Sequence, residues 1–159
     1  MSYIRLGNFF QLYRVRGDGT EINEGRYNNV TPGRTITHSG IRYDYLSFIY
    51  QGAAKNRTGD NLEAQIVLAV NKISTGLAKE AVSGNYHVRI YSASMTPAGD
   101  VARVLTVEDW VAASMTYDVQ TLEVILSSAI DAVGASAPTR VLTRKVVGHL
   151  PVTANIQTQ

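Results

Sequence analysis

The chain has 159 residues and a formal net charge of +2, so it is long enough for one domain with a hydrophobic core and gives no electrostatic argument for nucleic-acid binding. It contains no cysteine, which excludes disulfides, thiolate metal sites and a cysteine nucleophile. Charged residues make up 18%, below the ~25% typical of soluble domains, which favours a subunit that buries part of its surface against neighbours.

Alternating apolar and polar residues predict a series of short strands. Ile41, Tyr43 and Tyr45, for example, alternate with Arg42 and Asp44. Patterns of this kind predict strands over residues 9–16, 35–37, 41–50, 62–70, 86–94, 101–106, 110–117, 120–128 and 141–147.

Other stretches predict loops, one helix and a tail. Ile73, Leu77 and Ala81 recur at helical spacing within residues 71–83, and Gly84 follows as a stop signal, so we expect the only sizeable helix there. Polar sequence predicts loops over residues 20–34 and 51–60, the first with room for a short strand, and a polar C-terminal tail over residues 152–159.

Several short strands and one short helix predict a mainly β fold. We expect a single domain over residues 1–151, built as an antiparallel β-barrel or sandwich with one short α-helix. The longest apolar runs, such as residues 66–70, are too short to span a membrane, and the first residues lack the apolar stretch of a signal peptide. We therefore expect synthesis in the cytoplasm and no membrane insertion.

No residue pattern predicts catalysis, a metal site or a cofactor. His38, His87 and His149 are isolated, whereas a zinc site normally uses close pairs such as H-x-x-x-H. The adjacent carboxylates Glu108 and Asp109 would point to opposite faces of a strand, so they do not form an acid–base pair. No G-x-S-x-G motif or phosphate-binding loop is present. We therefore expect no enzymatic activity.

A basic cluster near the C-terminus is the candidate subunit interface. If this segment is a strand, Arg140, Leu142 and Arg144 share one face, and Lys145 lies on the other, so neither face is purely apolar. Such a segment suits an interface strand better than a core strand. A solvated strand edge and a nucleic-acid contact are the alternatives. The interface candidates are Arg140, Leu142, Arg144, Lys145 and Val147.

The order of these features from residue 62 onward resembles a known family. A strand ending in Asn leads into a helix, a basic aromatic strand and further strands follow, and a proline–arginine segment comes last. The segments are LEAQIVLAVN, NKISTGLAKEAV, HVRIYSAS, VEDWVAASMTYDVQTLEVILSSAIDA and APTRVLTRKVVGHLP. Over roughly residues 41–151 the pattern is similar to the N-terminal domain of minor tail proteins from lambda-like tailed bacteriophages.

The resemblance implies a tail-hub-like β-domain whose copies form a ring at the tail tip or baseplate hub. It implies a homo-oligomer, trimeric or hexameric, that contacts tube, distal tail and central tip proteins and passively contacts DNA in its channel. It also implies a place in the virion tail after synthesis in the host cytoplasm. Some family members bind an iron–sulfur cluster through a cysteine-rich extension, which cannot be carried over to a chain without cysteine.

Two other functions remain open at the level of the sequence. A receptor- or carbohydrate-binding β-sandwich module of a virion would expose an aromatic-lined pocket, and Tyr43, Tyr45 and Tyr50 are candidates to line it. A small hydrolase is the third alternative and is supported by no motif.

Overall fold

The computed structural model describes residues 4–52 and 63–128, which form nine strands and one helix. This composition confirms the predicted mainly β fold with one short helix. The elements are β1 (Arg5–Val15), β2 (Glu21–Asn28), β3 (Ile36–His38), β4 (Ile41–Tyr45), β5 (Phe48–Gln51), β6 (Ala64–Ala69), α1 (Lys72–Ser83), β7 (His87–Met95), β8 (Val101–Tyr117) and β9 (Thr121–Ser127).

All nine strands belong to one sheet, in the order β3-β4-β2-β1-β7-β8-β9-β6-β5. Every pairing is antiparallel except that of β2 with β4, which is parallel. The sheet is therefore mixed and mainly antiparallel, whereas the sequence predicted an antiparallel barrel or sandwich. Parallel neighbours need a crossover connection. Residues 29–40, which include β3, provide it here.

The sheet curls around the main hydrophobic core in a barrel-like manner. Strand β5, at one end of the sheet, approaches the end of β2 where Asn29 Nδ2 donates to the carbonyl of Phe48 at 3.1 Å. The backbone N–H of Leu46 donates to the carbonyl of Asn28 at 2.9 Å beside this contact. The rings of Phe10 and Phe48, on β1 and β5, meet edge to face at 4.8 Å. Strands from distant positions in the sheet order thus share one interior.

Helix α1 begins with a capping box and packs its small residues into this interior. Asn71 Oδ1 accepts from the backbone N–H of Ser74 at 2.8 Å, and Ser74 Oγ accepts from the N–H of Asn71 at 3.0 Å. Ala78 and Ala81 are buried, whereas Ile73, which contributed to the helical spacing, is 69% exposed. At 12 residues, the only helix of the described ranges is not one that could cross a membrane.

Strand β2 occupies a stretch that the sequence predicted to be mainly a loop. One of its polar side chains is paired across the sheet: Glu24 forms a 2.5 Å ion pair with Arg14 on β1. The ring of Tyr27 packs on Phe10 at 5.1 Å, and Asn28 is fully buried. Eight residues with few aliphatic side chains therefore form a strand because their neighbours supply partners.

Two strand boundaries also differ from prediction. The expected strand over residues 41–50 is broken near Leu46, where the chain bends from β4 to β5. The two strands expected over residues 101–117 are one continuous strand, because β7 pairs with residues 101–111 and β9 pairs with residues 111–117. The helix over residues 71–83 agrees with prediction to within one residue.

Candidate functional site on the outer face of the sheet

The face of the sheet that points away from the main core carries a second, smaller apolar cluster. Successive residues of β1 point to opposite faces, so Phe10 enters the main core while Phe9 joins this outer cluster. The β3–β4 hairpin covers part of the outer face. The buried members of the cluster are Phe9, Ile36, Tyr43, Ala93 and Met95.

A cavity of about 380 Å³ opens between this hairpin and strands β1, β7 and β8. Its aromatic wall is ordered by edge-to-face contacts, with ring centroids 5.3 Å apart for Phe9 and Tyr43 and 6.4 Å apart for Tyr43 and Tyr91. The volume lies in the range of small-molecule sites. The lining residues are Phe9, His38, Ser39, Ile41, Tyr43, Tyr91, Ala93, Val101, Val104 and Val107.

Polar groups at the cavity come from the hairpin turn and from the tyrosines. Ser39 adopts a positive φ of 50° within the turn and lines the cavity together with His38. Burial raises the pKa of Tyr43, and the neighbouring Tyr91 adds to this rise, so the Tyr43 phenol is neutral at pH 7. The cavity is thus mainly apolar, with its polar groups at the hairpin turn and on the tyrosines.

A polar cluster centred on Arg89 lies on the same face, farther along β1 and β7. Arg89 forms ion pairs with Glu21 at 2.9 Å and with Asp109 at 2.8 Å. Its guanidinium carbon lies 4.7 Å from the centre of the Tyr13 ring, and the Tyr13 hydroxyl donates to Asp109 at 3.0 Å. The imidazole of His87 stacks on Tyr13 at 5.1 Å. These contacts join four strands.

Interactions within this polar cluster shift the pKa values of its members. The hydrogen bond from Arg89 lowers the pKa of Glu21, and in return that bond raises the pKa of Arg89. Burial raises the pKa of Tyr13 to about 12, helped by its bond to Asp109. Arg89 and Glu21 therefore stay charged, and Tyr13 stays neutral, over the physiological pH range. The arrangement therefore links the strands through charged and hydrogen-bonded side chains.

The two histidines of the described residues lie at different sites. His38 lies at the cavity and His87 lies in the polar cluster, while His149 is outside the described residues. Within residues 4–52 and 63–128, no group of three His, Asp or Glu side chains is placed to hold a metal ion.

The three tyrosines proposed for a binding pocket do not come together. Tyr43 lines the cavity, but Tyr50 lies on the opposite face, where its hydroxyl donates to Glu108. Tyr45 is not among the residues that line the cavity. The structure instead places Phe9 and Tyr91 beside Tyr43, and only the pairing of β1 with β7 reveals that arrangement.

The predicted interface residues and the end of the predicted domain lie outside the described residues. This applies to the strand expected over residues 141–147, the tail 152–159 and most of the loop 51–60. It also applies to Arg140, Leu142, Arg144, Lys145 and Val147.

Strand β8 carries a surface that sequence reasoning missed. Residues 101–111 pair with β7 on one side, but β9 pairs on the other side only from Val111 onward. Among the residues that the structure describes, none pairs with residues 101–109 on that second side; we call this stretch the free β8 edge. It carries Leu105 and Val107, which are 51% and 53% exposed. The observed sheet order, rather than any motif, identifies it.

Comparison with protein-family models and with curated protein sequences found no match to this chain.

The ion pairs of Arg89 predict a specific dependence of stability on pH. Because the pKa of Glu21 is lowered in the folded state, its contribution is present above its unfolded pKa of about 4.3 and is lost as the pH falls through the lower folded value. Replacing Arg89 with methionine should remove this contribution. We expect Arg89→Met to lose less stability than the wild type between pH 7 and about pH 3.

Urea unfolding at a series of pH values measures this effect. Arg42→Met is the matched control, because Arg42 forms an exposed ion pair with Asp44 on β4 and should leave the pH dependence of the wild type unchanged. An identical pH dependence for the wild type and Arg89→Met would show that Arg89 does not set the ionisation of Glu21.

Proposed function

We propose that this chain is a structural, non-catalytic subunit of a bacteriophage tail, part of a ring at the tail tip or baseplate hub that joins the tail tube to central tip proteins. The order of sequence features over residues 41–151 suggested this function. The observation that supports it best is the free β8 edge. A strand edge of this length offers backbone donors and acceptors that a second protein chain can pair with.

The surroundings of the free β8 edge also favour assembly. β1, β7 and β8 extend together at this end of the sheet, and β2 pairs with β1 only from Phe9 onward. Ile4 and Leu6, at the start of the chain, are exposed at the same end as Leu105. Single exposed apolar residues are ordinary, whereas several beside an unpaired edge are typical of a contact surface.

Ring formation can be tested with the purified full-length protein. We expect size-exclusion chromatography with light scattering, and electron microscopy, to show closed oligomers. Replacing Leu105 with glutamate places a charge at the free β8 edge and should weaken association at least about tenfold, equivalent to about 1.4 kcal/mol. The monomer should keep its thermal stability, because Leu105 is half exposed.

Val119→Glu is the matched control, since Val119 is 93% exposed beyond the end of β8. It should assemble as the wild type does. A wild-type protein that stays monomeric at every accessible concentration, also when mixed with tube and tip proteins, would contradict the proposed ring.

The second candidate function is a receptor- or carbohydrate-binding module of a virion, and the aromatic-lined cavity favours it. Tyr91 and Tyr43 could contact the apolar face of a sugar ring, while His38 and Ser39 supply polar groups. This function would replace the ring if the wild type remained monomeric, bound a glycan in a binding screen, and lost that binding when Tyr91 was changed to alanine.

A further inference from the structure

We propose that residues 139–150 of a second copy of this chain add as a strand to the free β8 edge. The inference rests on the proposed ring and names the contact that would build it. The acceptor is the stretch 101–109 of one copy, and the donor is the C-terminal segment of the next.

The acceptor has its backbone groups directed outward. The N–H of Ala112 donates to the carbonyl of Tyr86 at 3.0 Å, on the side of β7. Residues of an antiparallel strand direct their backbone groups to alternate sides, so Val107 and Asp109 direct theirs toward the free β8 edge, as Val111 does toward β9. An added strand would pair with these groups and continue the sheet at the place where β9 stops.

The same acceptor region is apolar enough for a side-chain contact. Val101, Val104 and Val107 line the outer cavity from β8, and Val107 is half exposed. A strand laid beside them would cover Val107 and the side of the cavity that β8 forms. The backbone pairing and the apolar contact would therefore form together, which is the usual way in which strand addition combines affinity with specificity.

The donor matches this edge in length and composition. Pro138 and Pro151 bound a segment of twelve residues without proline, which is long enough to pair along nine. It reads TRVLTRKVVGHL and is rich in β-branched residues, which favour strands. Its mixed faces suit a strand with one side on an interface and the other toward solvent. It also contains all five interface candidates named from the sequence.

Chain length and composition favour a second copy over the donor's own edge. Residues 129–137, which follow β9 after Ser128, include four alanines and one glycine, which are poor strand formers for a simple extension of β9. Arg140 lies thirteen residues after Ser127, and a chain of that length can extend over about 43–47 Å. The free β8 edge spans only about 30 Å. The chain that leads to the donor can therefore extend beyond the full length of its own free β8 edge.

Donor and acceptor are different surfaces of the same chain. Contacts between unlike surfaces are heterologous, and they close into a ring when the rotation between copies permits it. Each copy would give one strand and receive one, so every copy in a closed ring would have its free β8 edge covered.

Cysteine cross-linking tests this contact cleanly, because the natural chain contains no cysteine. One batch of full-length protein carries Val107→Cys, and a second, size-tagged batch carries one cysteine at each position from 140 to 147 in turn. The batches are mixed, allowed to assemble and oxidised. We expect a disulfide-linked heterodimer as the main product at one or two donor positions, since cross-strand neighbours lie within disulfide distance. Val119→Cys should give no preferred position.

The outcomes separate this inference from the proposed ring. Rings in the electron microscope without a cross-link at any donor position would overturn the strand addition and leave the ring standing. A cross-linked dimer that never forms a ring would support the strand addition and overturn the ring. If a chain with both cysteines instead closes an internal disulfide at a rate independent of concentration, the donor occupies its own edge and the second-copy contact is wrong.

Discussion

Replacing Phe10 with alanine should lower the free energy of unfolding by about 3–5 kcal/mol. The side chain is buried on β1 and touches the rings of Phe48 and Tyr27, with centroids 4.8 and 5.1 Å away. Its removal leaves a cavity where two ends of the curled sheet meet, and the rigid backbone of neighbouring strands limits how far that cavity can collapse.

Urea or thermal unfolding measures the loss, and Ile49→Ala is the control. Ile49 lies on β5 beside Phe48 but is 61% exposed, so its replacement should change stability by less than about 0.5 kcal/mol. A loss for Phe10→Ala as small as that of the control would mean that β1 and β5 do not share a packed interior.

Replacing Asn28 with alanine should cost about 2–4 kcal/mol, although the change removes no large apolar group. Asn28 Nδ2 donates to the carbonyl of Tyr43 at 2.9 Å and to that of Arg34 at 3.2 Å, and its Oδ1 accepts from the N–H of Val30 at 3.1 Å. The variant leaves these backbone groups without the side-chain partner that they have in the wild type, at about 1–3 kcal/mol for each that is buried and unsatisfied.

Asn23→Ala is the matched control for Asn28→Ala, because Asn23 lies on the same strand and is exposed. Its replacement should leave the urea midpoint nearly unchanged. In addition, hydrogen exchange should show faster opening of β3 and β4 in Asn28→Ala, since Asn28 ties both the hairpin strand β4 and the preceding loop to β2. Equal effects of the two alanine variants would show that the hydrogen bonds of Asn28 do not contribute measurably to stability.

The parts of the fold that could be predicted are those where one side chain pattern decides the structure. Alternation identified β4 and β6, and helical spacing with Gly84 as a stop identified α1. Strand β2 was mainly missed because its stability comes from lateral partners: Glu24 with Arg14, and Asn28 with backbone carbonyls. Such partners come from elsewhere in the chain, so local composition does not reveal them.

The candidate site was harder to predict because it depends on which strands are neighbours. Tyr43 and Tyr50 were expected on one strand, but the break near Leu46 places them on β4 and β5, on opposite faces of the sheet. The cavity, by contrast, combines Phe9, Ile41 and Val104 from β1, β4 and β8. A free edge is likewise a property of strand order, and no single segment of sequence carries it. The register and order of the strands must be known before the cavity or the free β8 edge can be described.

The position of β1 in the sheet has a consequence for folding during synthesis. β1 is flanked by β2, which follows it directly, and by β7, which is made some seventy residues later, judging by the pairing of Tyr13 with His87. Until β7 leaves the ribosome, one side of β1 has no partner, and neither the main core nor the outer cluster can close. Pairings between such distant residues slow folding, because the loop must close before the contacts form. The nascent first half of the chain therefore exposes aromatic residues of its strands. A chaperone that binds extended apolar segments would bind the stretch that contains Phe9 and Phe10.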